Sequence, residues 1–165
     1  MRILFIRHAE AAEAEGFDGP DIARPLTKKG KKLFLGVARG VARAYPGLDR
    51  IISSEAVRAR QTAEILAKAC GSICVELCPA LNPGASEEAI VRVICTLAAD
   101  ACVALVGHEP DFSTAISSRV AGGALRLKLK KGGFADVEIP ASGEAVLRAL
   151  VDPKRVGFPG RAATR

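Results

Sequence analysis

Short apolar runs alternate with longer amphipathic stretches along most of the chain. The runs RILFI at residues 2–6 and CVALV at residues 102–106 are typical of buried strands. Apolar side chains recur at helical spacing from Thr27 to Tyr45, and Thr27 is a suitable residue to cap that helix. Because strands and helices alternate, the sequence predicts an α/β layered fold.

The remaining elements follow the same patterns. Helices are predicted at residues 56–69, after Ser86, and from Pro110 to Gly122-Gly123, and further strands at 49–53, 73–77, 134–139 and 144–150. The sequence contains no internal repeat and no linker long enough to separate domains. We therefore expect residues 1–151 to form a single domain and residues 152–165 to form a C-terminal tail.

The composition matches that of an ordinary soluble protein, since 49% of the 165 residues are apolar and 25% are charged. No apolar stretch approaches the roughly 18 residues that a membrane-spanning helix needs. Arg7, His8 and Glu10 interrupt the first apolar run, so we expect no secretory leader and a cytoplasmic location. The net charge of +6 could attract nucleic acid, but aromatic residues make up only 4% and tryptophan is absent, which disfavours nucleic-acid binding. Nothing in the sequence fixes the oligomeric state.

Cysteine chemistry is disfavoured by the number and spacing of the cysteines. Five cysteines give an odd count, which argues against a disulfide framework. The spacing of Cys70, Cys74 and Cys78 does not match the usual zinc-binding pairs, so no metal site is predicted there. A cysteine nucleophile for phosphate chemistry would need an arginine six residues downstream, and none of the five has one. We expect buried or incidental thiols.

Charged and basic side chains follow the predicted strands where the strands end. Arg7 and His8 end the first strand, and His108 follows the CVALV strand. Arg58 opens the helix after the second strand. Because ligands of open α/β sheets bind outside the carboxyl ends of the strands, these four side chains are expected to meet at one edge. Two arginines and two histidines around one point are unsuited to an apolar core and well suited to binding an anion. The N-termini of nearby helices would add backbone N–H donors to such a site.

Four motifs, FIRHAEA, RPLTKKG, SSEAVRARQTAEIL and VGHEPDFS, follow one another in this order. From its first strand to about residue 139 the chain resembles the histidine phosphatase superfamily, and within it the small SixA-type phosphohistidine phosphatases. The resemblance implies a three-layer α/β/α fold with a mostly parallel central sheet. It also implies that His8 is the nucleophile that takes the phosphoryl group. Arg7 and Arg58 would bind the phosphate oxygens and His108 would complete the pocket, without a metal ion or other cofactor.

These residue types suit phosphoryl transfer. A neutral imidazole nitrogen is a competent nucleophile, and histidine is the side chain most easily held neutral near pH 7. A guanidinium keeps its charge, and its planar fork fits phosphate oxygens. The charges of Arg7 and Arg58 also disfavour the imidazolium form of His8. Positioning and charge stabilisation can therefore carry the reaction.

Three further residues are candidates for the site. Arg24 could contact the substrate, and Glu10 and Glu109 could relay a proton. The acid that phosphoglycerate-mutase-like members bring from a middle loop has no clear counterpart, because Glu87 and Glu88 stand only at the start of the next helix. An alkoxide leaving group needs such an acid more than an imidazole does, which favours phosphohistidine as the substrate.

Three functional hypotheses remain open on the sequence. The first is a metal-independent phosphatase acting through phospho-His8 on a phosphohistidine-bearing signalling protein, or alternatively on a small phosphate ester. The chain is too short for a large cap insertion, so we expect an open pocket, which suits a phosphate carried by a protein. The second is a non-catalytic module that binds phosphorylated proteins. The third is a metal hydrolase using His8, His108, Glu10 or Glu109, which the absence of paired-histidine helix spacing disfavours.

Overall fold

A six-stranded sheet with helices on both faces forms the centre of the protein, as seen in a computed structural model that describes residues 1–141 and 143–154. The strands are β1 Arg2–Arg7, β2 Arg50–Ser53, β3 Val75–Leu77, β4 Cys102–Gly107, β5 Phe134–Glu138 and β6 Val146–Val151. The helices are α1 Lys28–Ala44, α2 Val57–Ala69, α3 Glu87–Cys95 and α4 Asp111–Ala121, with short 3-10 helices at Asp21–Ala23 and Pro79–Leu81. From residue 155 onwards, the predicted tail lies outside the described residues.

The strands are ordered β3-β2-β4-β1-β5-β6. The first four in this order are parallel to one another, and β5 and β6 add two antiparallel pairings at one side. Arg7 pairs with Gly107 at the ends of β1 and β4, and Ser53 of β2 pairs with Val106. The carboxyl ends of three neighbouring strands therefore meet at one edge, and the prediction of a mostly parallel sheet is confirmed.

Each face of the sheet packs against its own pair of helices. On one face, Leu4 and Ile6 of β1 pack with Phe34 of α1 and Leu66 of α2. On the other face, the alternate side chains of β1 pack with buried residues of α3 and α4, among them Ile90 and Ile116. This alternation along β1 is the period of two expected for a strand covered on both sides. The predicted three-layer α/β/α arrangement is confirmed.

The helix starts agree closely with the capping signals. The Thr27 hydroxyl oxygen accepts a hydrogen bond from the Gly30 amide at 2.9 Å, and the Ser86 hydroxyl accepts one from the Ala89 amide at 3.2 Å. α4 begins at Asp111, so Pro110 precedes the helix instead of occupying its first turn. None of the helices in the described part of the chain is long and apolar enough to span a membrane.

The first turn of α1 lies directly against the backbone that follows β1. A methyl group on Gly30 would approach the Glu10 carbonyl oxygen to 2.2 Å, far inside van der Waals contact. The Thr27 amide donates to the same carbonyl at 2.9 Å. Only glycine allows this approach, which fixes the segment carrying His8 and Ala9 against α1.

The substitution Gly30→Ala tests this contact. Alanine is favoured over glycine within a helix by about 1 kcal/mol, so propensity alone predicts stabilisation. We expect the clash with backbone to dominate and to lower the free energy of unfolding by about 1–3 kcal/mol. Urea unfolding measures the change, with Gly47→Ala as the control because a methyl group there meets open space. A Gly30→Ala protein as stable as the wild type would contradict the close approach.

Candidate active site

The two histidines of the chain lie side by side at the carboxyl edge of the sheet. Their ring centroids are 5.2 Å apart and their ring planes are inclined by 52°. The cause is the register of the parallel pair, because His8 and His108 each follow immediately after the paired residues Arg7 and Gly107. The His8 amide continues the ladder by donating to the Gly107 carbonyl at 3.0 Å. Both side chains are buried.

The hydrogen bond of His8 determines which ring nitrogen is free. His8 Nδ1 lies 2.8 Å from the Ala9 carbonyl oxygen, which can only accept, so Nδ1 carries the hydrogen. Nε2 of the neutral ring therefore keeps its lone pair. The backbone at Ala9 is held against α2. Its amide donates to the Thr62 hydroxyl at 3.0 Å, and that hydroxyl donates to the Arg58 carbonyl at 2.7 Å.

The ring of His108 is oriented by a polar chain that leads to the surface. His108 Nε2 lies 2.9 Å from the Ser54 hydroxyl, which donates its own proton to Oδ1 of Asn82 at 2.9 Å. The Asn82 amide is oriented by Glu55, since Oδ1 accepts from the Glu55 amide and Nδ2 donates to the Glu55 carboxylate, both at 2.9 Å. Nε2 of His108 must therefore be the donor to Ser54, and Nδ1 of its neutral ring is left to accept a proton.

Both imidazoles are held in the neutral form. Burial lowers the pKa of His8 from 6.5 to about 3, and the Ala9 carbonyl opposes this shift. The positive charges of Arg58 and Arg7 add to it, as would a proton on His108. Burial also lowers the pKa of His108 to about 4, with a further decrease caused by Arg58 and an opposing effect of Asp21. At neutral pH, His8 thus offers an unprotonated nitrogen beside fixed positive charge.

Arg7 and Arg58 both lie at this edge, and each keeps an unused donor. Nη1 of half-buried Arg7 donates to the Leu129 carbonyl at 2.9 Å, and burial lowers the pKa of Arg7 while Glu109 raises it. Only 3% of Arg58 is exposed. The Nε groups of Arg7 and Arg58 are buried without an acceptor among the described residues. A buried unpaired donor costs free energy, which an oxyanion in the pocket could recover.

Asp21 is a residue of the site that the sequence reasoning missed. Its backbone carbonyl accepts from Arg58 Nη1 at 2.6 Å, and its carboxylate accepts from Arg58 Nη2 at 2.8 Å. The other carboxylate oxygen accepts from Nε and Nη2 of Arg24 at 2.8 and 2.6 Å. These bonds to Arg24 and Arg58 hold the pKa of Asp21 below its ordinary value. The available signal was its position three residues before Arg24 in the segment DIARPLT.

Arg24 lies at the margin of the site, where its guanidinium is held by the loop. It binds Asp21 and also donates to the Ala12 carbonyl. Its charge still contributes to the lowered pKa of His108. Contact of Arg24 with a substrate therefore stays a prediction, and one that would require these loop contacts to rearrange or to be shared.

The two proposed proton relays have different surroundings. The Glu10 carboxylate accepts from Thr27 and Lys29, both at 3.1 Å, and these bonds lower its pKa. Glu10 is thus engaged at the start of α1 and not by either imidazole. Glu109 carries a carboxylate oxygen that is buried without a hydrogen-bond partner among the described residues, and it lies close enough to Arg7 to raise its pKa. The role of Glu109 as a proton relay therefore stays a prediction, whereas the carboxylate of Glu10 is occupied by other partners.

The remaining acidic candidates and the possibility of a metal site concern other parts of the molecule as well as this edge of the sheet. Glu87 lines a separate cavity together with Ser117 and Arg126. In residues 1–141 and 143–154, no group of three or more His, Cys, Asp or Glu side chains is close enough together to hold a metal ion. Glu87 and Glu88, the acids at the start of α3, therefore line cavities whose lining includes neither imidazole.

The comparisons with known proteins point to one family. The family model described as the histidine phosphatase superfamily (branch 1) matches residues 3–83. An uncharacterized protein of Picosynechococcus sp. strain PCC 7002 is 34% identical over 157 residues, which cover 92% of each chain. The structure of the protein histidine phosphatase SixA complexed with tungstate has a TM-score of 0.85 at 21% identity, covering 95% of this chain and 100% of that one. A SixA candidate from Agrobacterium tumefaciens has a TM-score of 0.79 at 25% identity, covering 92% and 97%.

Titration of the two histidines tests the electrostatics of the site. Because the folded pKa values of His8 and His108 are lowered to about 3 and about 4, neither imidazole should show a midpoint near pH 6.5 in an NMR titration of the ring signals. Below about pH 6.5 the two histidines bind protons in the unfolded chain but not in the folded chain. The contribution of the two histidines to the free energy of unfolding is therefore complete above that pH. It decreases as the pH falls, by up to about 1.4 kcal/mol per pH unit for each histidine. A ring signal that titrates between about pH 6 and 7 in the folded protein would contradict this description.

Proposed function

Because this chain belongs to the histidine phosphatase superfamily, as a phosphatase of the SixA type, we propose that it removes phosphate from phosphohistidine on signalling proteins in the cytoplasm. The observation that carries the proposal is the neutral His8 imidazole with a free Nε2 lone pair, buried beside His108, Arg7 and Arg58. A module that only binds phosphate would need the arginines alone, whereas this arrangement prepares a nucleophile.

In the first step, the Nε2 lone pair of His8 attacks phosphorus and forms a new N–P bond while the N–P bond of the substrate breaks. The substrate imidazole leaves with the electron pair of that bond and takes up a proton, which Glu109 can relay from solvent. The Nδ1–H of His8 stays bonded to the Ala9 carbonyl. That carbonyl dipole stabilises the positive charge that phosphorylation places on the ring.

In the second step, water attacks phosphorus and the bond to His8 breaks. The ring recovers its lone pair and is neutral again, while the hydrogens of the water leave on inorganic phosphate. Arg7 and Arg58 stabilise the charge on the oxygens that do not react, and their unpaired Nε groups are available donors. His108 can take a proton at Nδ1 when the phosphate charge enters and offsets the burial of its ring.

The leaving group distinguishes phosphohistidine from a small ester. An alkoxide is a strong base and departs readily only when an acid protonates it, whereas imidazole departs from a labile P–N bond. Glu109, which has one buried carboxylate oxygen without a hydrogen-bond partner among the described residues, is the acid that we assign to this step, and an imidazole leaving group depends on it less than an alkoxide would. Two of the similar structures also support this choice, since one is a protein histidine phosphatase with tungstate, a tetrahedral oxyanion like phosphate, and the other is a SixA candidate.

A substrate panel tests the proposal directly. Phosphate release would be measured on a protein phosphorylated at histidine, a phosphoserine peptide, sugar phosphates and nucleotides. We expect the phosphohistidine protein to give the highest kcat/KM. We also expect His8→Ala to abolish turnover, lowering the rate by at least about a thousandfold because the nucleophile is lost.

The panel includes a matched pair of arginine variants. Arg58→Ala removes the buried guanidinium, and Arg60→Ala removes an exposed one on the same helix that pairs with Glu64. Only the first variant should lose activity, with folding of both checked by circular dichroism. Full activity of His8→Ala would end the proposal, and a preference for sugar phosphates would assign the site to small esters.

A further inference from the structure

A basic cleft opens beside the proposed phosphate pocket. Its volume is about 370 Å³, and its cationic lining consists of Arg7, Lys128, Lys130, Lys131 and Lys154. Arg7 belongs to both the cleft and the proposed pocket, so the two spaces are adjoining. The proposed catalytic steps use none of the four lysines.

The segment with three of these lysines is fixed to the catalytic strand. Leu129 is completely buried, and its carbonyl accepts the bond from Arg7 Nη1. The Gly132 amide donates to the carbonyls of Arg7 and His8 at 3.1 and 3.0 Å. The alternation around Leu129 leaves Lys128 and Lys130 exposed on either side of an anchored residue. The cleft therefore keeps a fixed position relative to His8.

The cleft carries excess positive charge. Glu10 and Asp152 also line it, so five cations face two carboxylates. Glu10 is already paired with Lys29 at 3.1 Å, and the Asp152 carboxylate accepts from the Lys154 amide at 2.9 Å. Lys131 lies 4.0 Å from Glu13, whereas no carboxylate of the described residues lies within that distance of Lys128 or Lys130. Such an unbalanced set of charges attracts an anionic partner.

We propose that this basic cleft docks an acidic surface of the phosphoprotein substrate next to its phosphohistidine, an inference that rests on the proposed function. Lysine ammonium groups are flexible point charges, and here they stand exposed on two separate segments. A second phosphate on a small substrate would favour a rigid set of donors, which only Arg7 could supply. Carboxylates spread over a protein surface match dispersed lysines better and would align the phosphohistidine with His8.

A charge-reversal experiment tests the docking surface. Lys128→Glu/Lys130→Glu removes the anchored pair, and Arg43→Glu/Lys68→Glu is the control with the same change in net charge. Arg43 and Lys68 are exposed in the last turns of α1 and α2, which run away from the site edge. The substrates are an acidic phosphotransfer protein phosphorylated on its histidine and free N-phosphohistidine, each assayed over a range of ionic strengths.

We expect the cleft variant to lose at least about tenfold in kcat/KM on the phosphoprotein, mainly through a higher KM. On free phosphohistidine its loss should be several times smaller, and the control variant should behave as the wild type on both substrates. Added salt should lower the wild-type rate on the phosphoprotein and have less effect on the cleft variant, because exposed charges are screened. Neutralising the carboxylates around the phosphohistidine of the substrate should reproduce the loss.

The outcomes separate this inference from the proposed function. A wild-type protein that leaves both phosphohistidine substrates intact would refute the proposed function itself. A wild type active on both, with equal losses for the cleft and control variants, would refute the docking surface alone. An equal loss on free phosphohistidine and on the phosphoprotein would also refute it, because the lysines would then act on the phosphate or on folding.

Discussion

The parallel pairing of β1 with β4 is the constraint on which the site depends. Its register places Arg7 opposite Gly107, so that the next residue of each strand is a histidine. Two side chains 100 positions apart thereby come within ring contact, at a distance of 5.2 Å between centroids. A methyl group on Gly107 would lie 2.6 Å from the buried ring of Phe112, so glycine is also required for α4 to pack close behind His108.

Burial and fixed charge together determine the protonation of the site. Buried guanidinium groups would be costly without a counter-charge, and Asp21 supplies one to Arg58 from a loop closed by the pairing of Ala11 with Leu26. Asp21 also compensates for part of the positive charge felt by His108. The result is an edge of the sheet that carries fixed positive charge and still leaves both imidazoles unprotonated.

Much of this arrangement could be predicted from the amino-acid sequence alone. The strands and helices have clear periodicity, and the carboxyl-end rule for α/β sheets predicts that Arg7, His8, Arg58 and His108 meet at one edge. Asp21 could not be placed, because the segment between β1 and α1 has no periodicity and its path depends on tertiary contacts. Asn82 was missed for the same reason, since its role arises only when its loop reaches Ser54. The engagement of Glu10 by Lys29 depends on side-chain geometry that sequence spacing does not reveal.

The most direct test of the account is to identify the phosphorylated nitrogen in the trapped phosphoenzyme. Rapid quenching in base during turnover, followed by peptide mapping and ³¹P NMR, would locate the phosphoryl group on one atom. The hydrogen bond from His8 Nδ1 to the Ala9 carbonyl predicts phosphate on Nε2 of His8. Phosphate on Nδ1 of His8, on His108 or on no histidine at all would contradict it.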